Sequence, residues 1–547
     1  MQLGRLWLLG VLAVTVGAVV PTGSARFSTT RVRTSMAGTL VFGAEQGGGP
    51  DWCLNQHIDV DCSAAWNTVF EAPVIRGAFL LTPKFRYKPD LISRNTLQTK
   101  PLRLTYYIRK NARWSDGVPV TAQDFRFTWL QKINPKYNGH ITTEGWEDIS
   151  DVAGRGKVVR ITFKKTFAAW RALFDYVLPA HALEGEDLTT VWEGERGIVN
   201  PRSGKPIGDG PFVMTRFDRG CCITLARNPG RWHGSRAKLR SIVFRFITNT
   251  NSELQAMRSG EVDAIYPTPQ PQLADLRRQH GLKVQSNLGL GWEHIEIEEG
   301  AKGNPLAKLK WARQALISSL NRSAAVRAVF ASLNPRIEVL NSLTRLTNMP
   351  GYRPSFGKWA YSPRRVASIM RAHGCAKAAD GIFRCGGTKF SFDLSSTAGG
   401  GQRELAFTIL QAEAAKAGVE LRNAFAPAGT FFANLAAHNF DLGMFGYRVA
   451  LDPHYDVSLY ACDGDGNITE YCNGRVTALL KKSDLTLNLA TRIKLVNRAD
   501  KIMADDVPMI PLFQAPTYFV YKASVHGIVD NPGLGGPSWN AEAWSKG

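Results

Sequence analysis

The sequence predicts an α/β protein of two or three domains. Three observations carry this. The chain has 547 residues, of which 44% are hydrophobic and 21% charged, enough for a sizeable core at about 100–200 residues per domain. Segments with a period of two alternate along the chain with segments whose apolar residues recur at helical spacing. Gly 51 and Pro 28 supply many turns rather than the long uninterrupted stripes of a helical bundle.

The first element reads as an export signal. Arg5 precedes an apolar run from Leu6 to Val20, and the small residues Gly23, Ser24 and Ala25 suit cleavage near Ala25. A retained N-terminal anchor is the alternative, because the run approaches the length of a membrane span. Either way, Arg26 onward is expected outside the cytoplasm. No Cys follows the run, so a lipoprotein is not expected.

Strand-like and helix-like stretches then follow in order. Leu102, Leu104, Tyr106 and Ile108 alternate on one face of a half-buried strand, and Trp114-Ser115-Asp116-Gly117 forms a turn. Thr121 to Asp124 opens a helix with a capping box, and Phe125, Trp129 and Ile133 give it an apolar stripe. Strands are expected at 158–163 and 241–247. A short helix capped at Ser252 and stopped by Gly260 is followed by a strand at 262–266. A further strand, 284–288, and a Gly-Leu-Gly turn precede Trp292.

The second half is more helical. Leu309, Ala312, Leu316 and Leu320 form one stripe, and Ser362-Pro363 opens another helix that ends near Gly374. A helix through Leu405, Ile409 and Ala412 stops at Gly418 before a strand at 419–421. Leu489 to Ile502 carries the last long helix, and an extended stretch follows from Met509 to Tyr521. These stripes are core, and no cofactor box is read in them; no cofactor is expected.

Three cysteine pairs, Cys53 with Cys62, Cys375 with Cys385 and Cys462 with Cys472, each bracket a loop of about ten residues. In an oxidising compartment these are disulfide candidates. Their spacing is too wide for zinc, whose paired ligands lie two to four residues apart. Cys221 and Cys222 are adjacent, either a vicinal disulfide or two free thiols.

The net charge is +21, but Lys and Arg are dispersed, and an exported chain does not meet nucleic acid; no nucleic-acid partner is expected. No G-x-S-x-G, H-E-x-x-H, Walker or dinucleotide sequence is present. Glu293, Glu296, Glu298 and Glu299 cluster in WEHIEIEEG, where paired carboxylates could serve glycoside chemistry. Their alternation fits a strand with a solvated face better, so no catalytic residue is assigned.

Six segments, in order, resemble the extracellular solute-binding proteins of the oligopeptide, dipeptide and nickel class, which serve ABC importers. They are RLTYYIRKNARWSDGVPVTAQDFRFTW (Arg103–Trp129), GDGPFVMTRFDRGCCITLARNPGRW (Gly208–Trp232), SGEVDAIY (Ser259–Tyr266), KWARQALISSLNRSAAV (Lys310–Val326), NFDLGMFGYRVALDPH (Asn439–His454) and DDVPMIPLF (Asp505–Phe513). Asn321 stands where that family usually has Asp, and it caps a helix as well.

The resemblance implies a two-lobe fold of the type II periplasmic-binding-protein kind, with a ligand cleft between the lobes. It implies a signal peptide at 1–25, the first lobe from 26–75 and 201–266, an extra domain at 76–200, the second lobe at 267–510 and a return at 511–547. Crossings are expected near Ala264–Thr268 and Pro511–Val520.

By the same resemblance, Glu45 and Gln46 follow the first strand into the cleft. Tyr447 stands where a cleft Trp is common, and Trp292 is a further candidate. The family's peptide-binding members place an Asp three or four residues after that Trp to hold the α-amine. Here Ala450 and Leu451 occupy the region, so Arg448 and Asp452 are the charged candidates and α-amine recognition loses its usual partner. The implied function is a monomeric receptor that captures oligopeptides by lobe closure and delivers them to an ABC permease and its ATPase. The alternatives are the same fold with a non-peptide solute (oligosaccharide, small cation or metal complex) and, further off, a secreted hydrolase.

Overall fold

The computed structural model describes residues 38–48, 52, 54–55, 65–137, 145–230, 232, 236–399, 401–448, 455–464, 466–533 and 535–547. The export segment, the Cys53–Cys62 pair and Asp452 lie outside them.

Buried apolar strands organise the first half. Thr39–Ala44 is flanked in parallel by Ser241–Phe246 and Ala264–Ile265. These belong to a seven-stranded sheet ordered Leu282–Gln285, Phe519–Lys522, Ala264–Ile265, Thr39–Ala44, Ser241–Phe246, Cys222–Arg227 and Phe212–Asp218. Phe42 and Phe244 face each other across it with rings 5.4 Å apart, and both are fully buried.

A separate four-stranded antiparallel sheet is ordered Ile92–Thr99, Leu102–Ile108, Val158–Phe163 and Ile149–Arg155. Its alternation is the one the sequence announces: Leu102, Leu104, Tyr106 and Ile108 are all buried. The helix Ala122–Lys132 packs on this face, with Phe125 edge-on to Tyr106. Thr121 forms the capping box, its hydroxyl accepting from the helix's first turn while Asp124 accepts from the Thr121 amide. The same Asp124 also accepts from the Ala180 amide (3.0 Å), so one carboxylate fixes both this helix start and the first residue of the short helix Ala180–Leu183.

The second half builds a five-stranded sheet ordered Glu420–Asn423, Ser391–Ser395, Leu442–Arg448, Leu288–Ile297 and Met509–Pro516. Helices Lys310–Ser319, Arg322–Phe330, Pro363–Ala372, Gly401–Ala417 and Leu489–Asp506 accompany it. Asn321 and Ser362 act as N-caps through their side chains. The helix Thr250–Ser259 is capped by Asn249 rather than Ser252, whose amide is the donor to that cap. Asn249 wins because it stands one residue before the helix with a carbonyl long enough to reach the third amide.

The switch between sheets falls later than expected. Ala264–Ile265 is an interior strand of the first sheet, and the chain remains there through Leu282–Gln285. Asp263 explains the anchoring: its carboxylate accepts from the Val41 amide (3.0 Å) and from Lys522 and Lys546 (2.8 and 2.7 Å). Leu282–Gln285 is a strand of the first sheet and Leu288–Ile297 one of the second, so the chain passes between the two sheets at 286–287. The crossing back is 517–518, because Met509–Pro516 is still a strand of the second sheet. Trp292 likewise sits inside the strand Leu288–Ile297, not after a turn; Gly289 and Gly291 are strand residues.

Cys375 and Cys385 are directly paired across a hairpin, with Cα atoms 4.2 Å apart. Cys462 and Cys472 stand with Cα atoms 4.4 Å apart, and Cys221 lies sulfur to sulfur against Cys222.

A candidate ligand cleft between the two sheets

A cavity of about 280 Å³ opens where the two large sheets meet. Its walls come from the loop after Thr39–Ala44, the helix Ala65–Glu71, the stretch 266–269, the start of Leu288–Ile297, the end of Leu442–Arg448, and the tail at 532–537. Four of the six residues singled out from the sequence line it: Glu45, Gln46, Trp292 and Tyr447. Arg448 ends its strand opposite Gly291. Asp452 is not described.

Glu45 is committed on the cleft rim. One carboxylate oxygen accepts from the Thr268 amide and hydroxyl (2.7 and 2.9 Å), and the other accepts from the Thr250 hydroxyl (2.9 Å). It thereby ties 266–269 to the helix Thr250–Ser259. Behind it, burial and then the charge of Glu45 push the Glu253 carboxyl well above the usual range. Gln46 is exposed at the mouth.

The opposite wall is aromatic. Trp292 is nearly fully buried and stands opposite Tyr447 in the strand register, with rings 6.3 Å apart. His294 packs against both, 4.6 Å from Trp292 and stacked 4.5 Å from Tyr447. The Tyr447 hydroxyl donates to Glu296 (2.6 Å). Burial first, then the Glu296 charge, raise its pKa far above the usual phenol value, so the hydroxyl remains a donor. Its ring is what it offers the cleft.

A carboxylate held from behind by an arginine completes this wall. Arg403, in the first turn of Gly401–Ala417, donates from Nε to Glu293 Oε1 (2.5 Å) and from Nη2 to Oε2 (3.3 Å), while Nη1 donates to the Thr397 hydroxyl (2.9 Å). Glu293 lines the cavity, with 8% of its side chain exposed. Trp292 and Glu293 are sequence neighbours, yet both reach the cavity. Register shifts against Met509–Pro516 on either side of this pair break the alternation of the strand. Across the next strand, Gly446 stands opposite Glu293, and a Cβ there would come 3.0 Å from Glu293 Oε2.

The acidic run does not form a solvated face. Glu293, Glu296 and Glu298 are all buried, the first two because their strand is interior to the sheet and the third just past its end. Each acid is paired: Glu293 with Arg403, Glu296 with Tyr447, and Glu298 with the Gly300 amide (2.7 Å) and His438 Nδ1 (3.1 Å). Arg403 was not foreseen. It follows a glycine run, and nothing in its local sequence separates it from the chain's other arginines. Tyr266 and Thr268 also line the cavity; the sequence placed them at a crossing rather than on a wall.

The arrangement suits capture rather than bond breaking: two sheets joined by two short crossings, aromatic surface, and fixed charges at the rim and on one wall. Such a two-lobe binding protein is what the comparisons return. Residues 86–468 match bacterial extracellular solute-binding proteins, family 5, and the chain belongs to that family. It is 28% identical over 436 residues to the oligopeptide-binding protein OppA of Mycobacterium tuberculosis, covering 77% of this chain and 70% of that protein. It is 25% identical over 473 residues to the di/tripeptide-binding protein 4 of Pseudomonas aeruginosa, covering 81% and 84%.

Among solved structures it is similar to the periplasmic EDTA-binding protein EppA (TM-score 0.83, 24% identity, 93% and 96% covered). It is also similar to the oligopeptide-binding protein AppA from Bacillus subtilis in complex with a nonapeptide (TM-score 0.76, 21% identity, 93% and 99% covered). The fold is that of the type II periplasmic binding proteins. The family is one of solute-binding proteins, not enzymes. Among the described residues no helix is long and apolar enough to cross a membrane.

Proposed function

We propose that this protein is the exported receptor of an ABC importer and captures peptides in the cleft between its sheets. The observation that carries the reading is the cleft wall formed by Trp292, Tyr447 and Glu293, the last held by Arg403, in a chain whose family relatives are named as peptide-binding proteins. Aromatic surface accepts varied side chains by burial and stacking. The Glu293 carboxylate offers an acceptor for a peptide α-amine. The cavity of about 280 Å³ lies at the small end of ligand pockets, about 300–1,000 Å³, which favours short peptides in this conformation.

Capture is reversible and involves no covalent step. Closure of one sheet unit on the other adds contacts to bound ligand, and affinity includes the free energy of that shift. The N-terminal segment directs export, the close cysteine pairs are disulfides in that compartment, and the receptor acts as a monomer that docks on a permease with its ATPase.

The deciding experiment is a thermal-shift screen of the protein from residue 26 onward against peptide pools, oligosaccharides and metal complexes. Ligand at one hundred times its dissociation constant stabilises by about 2.7 kcal/mol. A shift with di- and tripeptides that acetylation of their α-amine abolishes supports the reading. A shift only with sugars or chelates keeps the fold and overturns the peptide assignment.

A further inference from the structure

A cavity of about 310 Å³ lies behind the cleft, between the helix Ala65–Glu71 and the segment 172–176. The helix partitions the two spaces. Trp66 and Val69 face the ligand cleft, whereas Thr68, Glu71 and Ala72 face the second cavity. Much of its wall is apolar, with Ile75, Phe79 and Leu81 contributing. Its charged groups are mostly acids: Glu71, Asp90 and Asp175. Arg76, also on the wall, is 3.7 Å from Asp90 of the same wall and 3.2 Å from Glu542, which leaves Asp175 as the acid it does not pair with.

Asp175 is the distinctive group. Its neighbours in sequence, Phe174 and Tyr176, are buried to 1% and 5% exposure, yet Asp175 itself is exposed and lines the cavity. Lys132 is the cation that acts on its charge from nearby. Lys132 does not line the cavity; burial lowers its pKa to about 8 while Asp175 pulls it upward. The acid thus opens into a protein-walled, largely apolar space.

We infer that this cavity is a second ligand site, for a small primary amine carrying an aromatic or aliphatic body. The ammonium pairs with Asp175 in a charge-assisted hydrogen bond. The body fills the space between Ile75, Phe79 and Leu81 and leaves water there. The volume matches the lower range of small-molecule pockets, about 300 Å³. A neutral or anionic molecule of the same shape gains the apolar contact but not the ion pair. The site does not rest on the peptide reading, and the two fail separately.

The test is calorimetric titration of phenethylamine into the purified protein near neutral pH, with 2-phenylethanol as the uncharged control. Saturable binding of one amine per chain is expected, with the alcohol at least about tenfold weaker. Asp175→Asn is expected to weaken the amine about tenfold and to leave the alcohol unchanged. Ala172→Leu fills the cavity without touching the charge and is expected to weaken both; it carries the test if the Asp175 variant does not fold. Absence of saturable amine binding, equal binding of amine and alcohol, or amine binding that survives both substitutions overturns the site.

Discussion

The backbone amide of Thr517 donates to the carbonyl of Asn287 (2.8 Å), and the amide of Asn287 donates back to the Thr517 hydroxyl (3.1 Å). These two residues are the two crossings between the large sheets, so the crossings are tied to each other. Asp530 reinforces the tie by accepting from Asn287 Nδ2 (2.7 Å) and from the Thr517 hydroxyl. Thr517→Val keeps the shape and removes the hydroxyl. It is expected to lower stability by about 1–3 kcal/mol, the cost of stranding buried partners. It is also expected to broaden the ligand-free distribution of lobe positions. Urea titration reads the first and small-angle scattering the second; unchanged values in both would remove the tie from any hinge role.

Arg403 holds Glu293 against the cleft wall through two hydrogen bonds. Arg403→Ala leaves a nearly buried carboxylate without its cation. The expected result is a loss of about 1–3 kcal/mol in stability, less than for a fully buried pair because Arg403 is 27% exposed. Ligand affinity should fall as well, because Glu293 lines the cleft and loses the cation that positions it. Glu293→Gln should instead discriminate on the α-amine. Calorimetry with the free, amidated and acetylated forms of one peptide separates these effects. Equal affinities across all forms and both variants would place the pair outside recognition.

Much of this architecture was legible because local chemistry and tertiary environment agree. The alternation through Tyr106, the Thr121 capping box and the Asn321 cap all hold, since each depends on neighbours within a few positions. The parts that were not legible depend on distant partners. Asp263 keeps Ala264–Ile265 in the first sheet through Lys522 and Lys546, more than two hundred residues away. The acids of WEHIEIEEG alternate as a solvated face does, but their strand is interior, and Arg403, Tyr447 and His438 supply the partners. For Glu45 the position after the first strand points to the cleft but not to its threonine partners, which turn a free acceptor into a strut.

Asp500 makes stability depend on pH. It is completely buried, and burial raises its pKa from the usual 3.8 to about 6, although the Leu343 amide donates to it at 2.8 Å. A raised acid favours the protonated native state. Its contribution is therefore fully present below about pH 4 and is lost as pH rises through about 6. The difference of roughly two pKa units corresponds to about 3 kcal/mol. Asp500→Asn keeps an acceptor for Leu343 and cannot titrate. Urea titrations at pH 4 and pH 7 should show a gain for the variant at pH 7 relative to its difference from the native chain at pH 4. Parallel stability curves across that range would show that Asp500 does not titrate there.

Cys375 and Cys385 face each other across a short hairpin, ten residues apart in sequence. Cys375 is buried and belongs to the apolar core beneath the second sheet. A bond between them restricts the unfolded chain more than the folded one, since the hairpin already holds their Cα atoms 4.2 Å apart. A loop this short gives a stabilisation somewhat under ~3 kcal/mol in the loop-entropy account. Replacing both residues with Ser should cost about that amount, plus a smaller term for placing a hydroxyl in an apolar site. The measurement pairs a urea titration with thiol counting on protein secreted into an oxidising compartment. Native protein should show both cysteines protected from alkylation before reduction and both labelled after it. If they react without reduction in unfolded protein, the hairpin is held by its backbone pairing and the Phe383 side alone, and the double substitution should then leave the unfolding midpoint nearly where it was.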